Sequence, residues 1–138
     1  MLPLKRILIG FWAMYFSIVA LSNAIDLLDS IGALHWTFLD STNYDFMRGI
    51  VKIYDVGPTL TKLLLLGAFA VETVGAVLFW QALLGGRRVR EALAWSALVW
   101  TAFVFMTEFF IAYTSESTFR ELLMLTIGTA LAVELLPD

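Results

Sequence analysis

The sequence predicts an all-α integral membrane protein, built as a bundle of four transmembrane helices. Its 138 residues are 60% hydrophobic and only 15% charged, with a mean hydropathy of +0.83. Soluble domains carry about 25% charged residues. The apolar residues form four stretches, which we place at 7–29, 60–84, 92–113 and 118–136. Because a helix needs about 20 apolar residues to cross a bilayer, we treat residues 1–138 as one membrane domain.

The first stretch follows Lys5 and Arg6 and ends near Ser30. Its basic start and the small residues around Asn23 are similar to a signal peptide with a cleavage site. The apolar stretch is long for a signal peptide, so we expect a retained helix. Asn23 and Asp26 are three residues apart, which puts them on one face near the outer end of this helix.

Residues 30–59 are expected to form an external amphipathic cap rather than a polar linker. The segment His35–Leu39 is amphipathic and aromatic, which is typical of chain lying at the headgroup level. A short helix is predicted to begin at Thr42 and to end at Gly57 and Pro58. Its apolar face follows a helical spacing and consists of Met47, Ile50, Val51 and Tyr54.

Glu72 interrupts the apolar run of the second stretch. An ionisable group near the bilayer centre costs about 2.5–3.5 kcal/mol on insertion scales, so it should face protein, water or a partner. Small residues surround it on the same helix face and let a neighbouring helix approach closely; they are Ala68, Gly75 and Ala76. Lys62 is ten residues away and is not its counter-ion, so we expect its partner to be another subunit, a proton or a ligand.

The third stretch contains Glu108 near its outer end. Counted from the outer surface, Glu72 is about 18 Å deep, below Asn23, Asp26 and Glu108, so we expect Asp26 and Glu108 to be the close pair. We expect the many aromatic residues of the third stretch to be mainly lipid-facing.

The fourth apolar stretch is the shortest. From Leu122 to Leu136 it would extend about 22 Å, against a hydrocarbon core of about 30 Å. Starting the helix at Thr118 makes it long enough to span.

Basic residues predict the orientation. Lys5 and Arg6 precede the first span, and Arg87, Arg88 and Arg90 lie in the connection between the second and third. By the positive-inside rule both clusters are cytoplasmic, and four spans return the C-terminus to that side. We therefore expect both termini in the cytoplasm and the chain in the plasma membrane. The three arginines could also contact anionic lipid headgroups.

Several chemistries are excluded or weakened. The chain has no cysteine and one histidine, so thiol chemistry and any site needing two histidines are excluded. Its weak, scattered charge argues against nucleic-acid binding. No phosphate loop or nucleophile elbow is present, so no catalytic residue is recognised and enzymatic activity stays open.

Three interpretations of the polar residues stay open. The carboxyl groups of Asp26, Glu72 and Glu108 could be structural, fixing helix register through hydrogen bonds. They could face a partner, with Arg48 of the cap as an internal partner for Asp26 or Glu108. Alternatively, Asp26, His35 and Glu108 are weak candidates for metal ligands, and the site could take a quinone headgroup.

The elements Asn23-Ala-Ile-Asp26 and His35-Trp-Thr-Phe-Leu-Asp40 resemble those of a bacterial family of small integral membrane proteins, domain-of-unknown-function family 2165. The resemblance covers about residues 15–85 and extends to Arg48 and Glu72. The chain departs from the family pattern at Leu39 and Met47. The family has no established activity. The resemblance implies a bacterial inner-membrane protein whose cap and span residues form one outer-side site.

Our leading functional hypothesis is an accessory subunit that packs against a larger membrane protein complex. The small size, the missing cation for Glu72 and the absence of a catalytic set motivate it. The expected partners are membrane lipids and either such a complex or, failing that hypothesis, further copies of this chain in a homo-oligomer. The alternative is a small redox or ligand-binding membrane protein with an outer-side carboxylate and histidine site for a metal or quinone. A proton or solute carrier is less favoured, because the inner halves of the spans contain few polar residues.

Overall fold

The computed structural model describes residues 3–36 and 42–136, and the ordered elements among them are all helical. The fold is therefore all-α, as predicted. The helices are α1 (Pro3–Ser30), α2 (Asn43–Val51), α3 (Pro58–Gly85), α4 (Val89–Phe109) and α5 (Tyr113–Leu135), with a single 3₁₀ turn at Lys52–Tyr54 after α2.

Three of these helices, α1, α3 and α4, are long and apolar enough to cross a membrane. Helix α5 has 23 residues but does not meet the same requirement. Any 18-residue window within α5 contains three of its four charged residues, which are Glu116, Arg120, Glu121 and Glu134. The predicted fourth span is therefore not confirmed, because α5 carries more charged residues than the three candidate spans allow.

Helices α1 and α3 run antiparallel and form the closest pair of the bundle. A Cβ atom on Gly10 would lie 3.8 Å from Leu83. Near the other end of the pair, Lys62 Nζ donates a hydrogen bond to the Ser30 carbonyl at 2.7 Å. Between these points the Phe16 ring lies against Gly75, where a Cβ atom would come within 2.6 Å of it. Glycine is needed at position 75 because α1 approaches too closely for any side chain.

Helices α4 and α5 form a second antiparallel pair. Arg90 at the start of α4 makes two hydrogen bonds with the Glu134 carboxylate, at 2.7 and 2.9 Å. Halfway along, the hydroxyls of Ser96 and Thr126 are 2.9 Å apart. Helix α5 therefore lies beside α4 over most of the length of α4.

Aromatic side chains fill the centre of the bundle. Trp12, Phe16, Phe79 and Trp100 are each 0–1% exposed, and the Phe16 ring stacks on Phe79 and Trp100 with centroid distances of 5.5 and 5.3 Å. Their polar atoms are satisfied: the Trp12 indole donates to Thr129 and the Trp100 indole to Ser96. We call these four residues the aromatic stack. The aromatic residues of α4 thus divide between this core and the outer surface, where Phe105 and Phe109 are exposed.

Helix α2 packs across the end of the bundle where α1 ends and α3 begins, and we call this the α2 end. Met47, Ile50 and Val51 are buried, as the predicted apolar face requires. Tyr54 differs from the prediction: its ring is half exposed and its hydroxyl donates to the Phe109 carbonyl at 2.9 Å. The opposite end contains Lys5 and the α3–α4 connection, and we call it the basic end.

Candidate functional site

Glu72 has its polar partner within the chain. It is 2% exposed, and its Oε2 atom accepts a hydrogen bond of 2.5 Å from Nδ2 of Asn23 on α1. Asn23 is also buried, at 5% exposure. The antiparallel packing of α1 on α3 brings the two residues to the same height, so two of the candidate polar residues named from the sequence form one pair.

The pair lies at the wall of a cavity of about 120 Å³. All five helices contribute to the lining, which is mostly apolar. Its polar members are Asn23, Asn43, Glu72 and Thr107, and its apolar members are Val19, Phe46, Met47, Ile50, Leu65, Ala68, Phe103, Met106 and Phe119. The cavity lies between α2 and the aromatic stack, and among the described residues Glu72 is the one acidic side chain in its lining.

Asp26 holds α2 in place. Its Oδ2 atom accepts a hydrogen bond of 3.1 Å from the backbone N–H of Tyr44, the second residue of α2. The first residues of a helix leave their N–H groups without intrahelical partners, and a carboxylate there also interacts favourably with the helix dipole. Thr42 precedes α2 but makes no capping bond with its side chain. Asp26 therefore caps α2 from another helix.

The cap residues do not join the Asn23–Glu72 pair. His35 is exposed, and its Nδ1 atom lies 2.9 Å from Asp29 Oδ1. Arg48 is exposed on α2, and within the described part of the chain no ion pair joins it to Asp26 or Glu108. Asp40 lies outside the described residues.

Glu108 is exposed on α4, and its carboxyl group is in hydrogen-bond contact with that of Glu116 on α5. Arg120 completes this group, with its Nε atom 3.1 Å from Glu116 Oε1. Asp26 and Glu108 thus have separate partners rather than forming the close pair that their depth in the sequence suggested. Across residues 3–36 and 42–136, no three His, Asp or Glu side chains come together as a metal site.

The small-residue face around Glu72 contacts α1 of the same chain. Ala68 and Gly75 are buried and Ala76 is half-buried, and the Phe16 ring covers Gly75. At the basic end, Arg90 pairs with Glu134, and Arg88 donates to Gln81 at 3.3 Å. Arg87 is exposed beside them.

The cavity residues that sequence reasoning did not single out include Asn43, Thr107 and Phe119. Asn43 carried a usable signal, because a polar residue at the start of a predicted amphipathic cap must face either water or the bundle. Its Nδ2 atom donates to Ser22 of α1 at 3.1 Å. Thr107 and Phe119 gave no signal, since their orientation depends on how α4 and α5 rotate against each other.

The fold and site define a helical membrane protein with three candidate spans and a buried carboxyl–amide pair beside a small apolar cavity. Comparisons with protein-family models, with curated proteins and with solved structures found no match. The family resemblance stays a prediction, and no argument below depends on it.

Proposed function

We propose that this chain is a small membrane protein that binds an amphiphilic, membrane-soluble molecule in the cavity beside Glu72. The observation that carries the proposal is the buried Asn23–Glu72 pair at the wall of a mostly apolar cavity. Ligand sites are typically apolar concavities with a few convergent polar groups that orient the ligand. This site has that composition.

The size of the cavity limits the ligand. An engineered apolar cavity of about 150 Å³ binds benzene, so the cavity of about 120 Å³ suits one ring or a short branched chain with a single polar group. A ring bearing a longer apolar tail would need the tail to leave the cavity. A quinone headgroup is therefore within the class only if its tail lies outside.

A substitution that fills the cavity tests the proposed binding site. Ala68 is buried and lines the cavity, whereas Ala70 is exposed on the same helix. In lipid nanodiscs, benzyl alcohol should raise the unfolding temperature of the wild type by binding to the folded state. It should do the same for Ala70→Leu, which is the matched control for Ala68→Leu. The Ala68→Leu variant should lose this stabilisation. Equal stabilisation of both variants, or none in the wild type, would refute the proposed site.

We also propose that α5 crosses the membrane with α4, giving four spans. The supporting contacts are Arg90–Glu134 near one end, Ser96–Thr126 in the middle and Glu108–Glu116 near the other. A helix paired with a spanning helix at both ends covers the same depth. The charged residues of α5 lie towards its ends, where interfacial positions are tolerated. The two basic clusters both lie at the basic end, so by the positive-inside rule both termini are then cytoplasmic.

Cysteine labelling tests this topology, because the chain has no native cysteine. Single variants Ser117→Cys and Leu136→Cys mark the two ends of α5, and Arg87→Cys marks the α3–α4 connection. A membrane-impermeant maleimide added to intact cells should label Ser117→Cys alone, with the other two labelled only after permeabilisation. Labelling of Ser117→Cys and Leu136→Cys from the same side would contradict a spanning α5.

The accessory-subunit hypothesis stays a prediction. One of its motivations was the missing cation for Glu72, and Asn23 supplies a hydrogen bond to Glu72 from within the chain but no opposite charge. Purification in mild detergent distinguishes the cases. A second protein that co-purifies in fixed ratio would favour an accessory subunit, and a monomer or homo-oligomer alone would contradict it.

A further inference from the structure

We infer that the ligand of this cavity is a small organic cation, a protonated amine with an apolar ring or short branched body. This inference rests on the proposed function and adds the chemical class of the ligand. Three features of the cavity support it: the hydrogen-bonding capacity of Glu72, the charge of the same residue and the aromatic lining.

The hydrogen-bonding groups favour a donor ligand. Asn23 Nδ2 donates to Glu72 Oε2, and in the described part of the chain no further hydrogen bond reaches the other Glu72 oxygen. A carboxylate has about four acceptor positions on its two oxygens, so most of that capacity is left for the ligand. Thr107 donates its hydroxyl to the backbone of its own helix, at Phe103 and Val104. The site therefore offers acceptors, which an ammonium with its N–H donors satisfies.

The charge of the cavity favours a cation. Of the described residues that line it, Glu72 alone is charged, and it is 2% exposed. Lys62, the basic residue of α3, donates its hydrogen bond to the Ser30 carbonyl at the α2 end. A carboxylate removed from water without an opposite charge is costly, and a paired and hydrogen-bonded one is far less so. A bound ammonium supplies the opposite charge that residues 3–36 and 42–136 do not bring to Glu72.

The lining suits the same class of ligand. Three phenylalanines, Phe46, Phe103 and Phe119, surround the cavity together with Met47 and Met106. Aromatic rings attract cations through their quadrupole, and methionine adapts its shape to different apolar bodies. An anion would gain from neither feature and would be repelled by Glu72.

Three probes of nearly equal shape separate the alternatives: benzylamine, which is a cation at pH 7, and the neutral benzyl alcohol and toluene. Binding to wild-type protein in zwitterionic-lipid nanodiscs is measured by calorimetry, with the Ala68→Leu variant as the correction for partitioning into lipid. A charge-assisted hydrogen bond is roughly twice as strong as a neutral one, so benzylamine should bind about tenfold more tightly than benzyl alcohol.

The Glu72→Gln variant keeps the shape and removes the charge, and it should abolish the preference for benzylamine. Glu121→Gln, at an exposed position of α5, is the matched control and should retain it. Where Glu72→Gln does not fold, the comparison of probes on the wild type decides alone. Equal or tighter binding of benzyl alcohol would overturn the cation inference and leave the proposed site standing. If none of the probes distinguishes wild type from Ala68→Leu, the proposed function fails as well.

Discussion

Gly75 marks the closest approach of α1 to α3, and adding one methyl group there should separate them. The Cβ of Gly75→Ala would lie 2.6 Å from Phe16 Cδ1 and 2.8 Å from Cε1, whereas ordinary contacts are 3.4–4 Å. The ring is stacked between Phe79 and Trp100 and cannot move aside without disturbing both. Such overpacking costs about 1–3 kcal/mol.

A matched control removes the effect of helix propensity. Alanine is favoured over glycine in a helix by about 1 kcal/mol, which would mask part of the loss. Gly67 lies two turns away on the same helix, and nothing lies within 4 Å of a Cβ placed there. Gly67→Ala should therefore gain that propensity alone, so the two variants should differ by about 1–3 kcal/mol in free energy of unfolding.

The assay is unfolding in mixed micelles with increasing SDS, followed by tryptophan fluorescence from the aromatic stack. Phe16→Leu added to Gly75→Ala removes the ring and should recover part of the loss, giving a measurable coupling between the two sites. If Gly75→Ala resists SDS as well as Gly67→Ala does, the close approach of α1 and α3 is not present in the membrane protein, and the height match of Asn23 with Glu72 loses its support.

Three further predictions concern the contacts that hold the other elements. Asp26→Ala should weaken the capping of α2 by about 1 kcal/mol and speed amide hydrogen exchange in α2 about fivefold, whereas Asp26→Asn, which keeps an acceptor, should show less change. Thr126→Val should cost about 0.6 kcal/mol in SDS unfolding, and adding Ser96→Ala should cost more, because Ser96 also accepts the hydrogen bond of the Trp100 indole. Arg90→Gln should have a small effect that disappears at high salt, because the pair with Glu134 is exposed; an effect independent of salt would mean that this end is buried in an assembly.

The sequence was sufficient to predict the helical membrane class and the buried face of α2. Both depend on patterns within a short segment: long apolar runs in one case and a helical spacing of apolar residues in the other. The boundaries of the long helices were less accurate. Helix α4 ends at Phe109 rather than at 113, and α5 begins at Tyr113 rather than at 118.

The Asn23–Glu72 pair could have been predicted but was not. Asn23 is seven residues from Ser30, about 10 Å, and Glu72 is ten residues from Lys62, about 15 Å. Aligning the two helices antiparallel from their α2 ends brings the residues within reach. When the depth of each residue is measured from the end of its own helix, without pairing the two helices, Glu72 is placed below Asn23 instead of beside it.

The roles of Asp26 and Glu108 could not be predicted from a single sequence. Helices that are apolar on most sides give a weak indication of which face is turned inward. Glu108 is consequently exposed towards Glu116, and Asp26 reaches the backbone of α2, eighteen residues further along the chain. Contacts of this kind depend on helix rotation and on the path of residues 30–42.

The aromatic stack closes the proposed binding cavity on the side of the basic end, so the cavity can open only on the side of α2. Trp12, Phe16, Phe79 and Trp100 lie between Glu72 and the basic end, and they leave almost no exposed surface. Their indole groups are already bonded to Thr129 and Ser96, so a passing ion would find no ligands there. Under the proposed function, a molecule that enters beside α2 would therefore leave by the same route, which predicts reversible binding rather than passage through the protein.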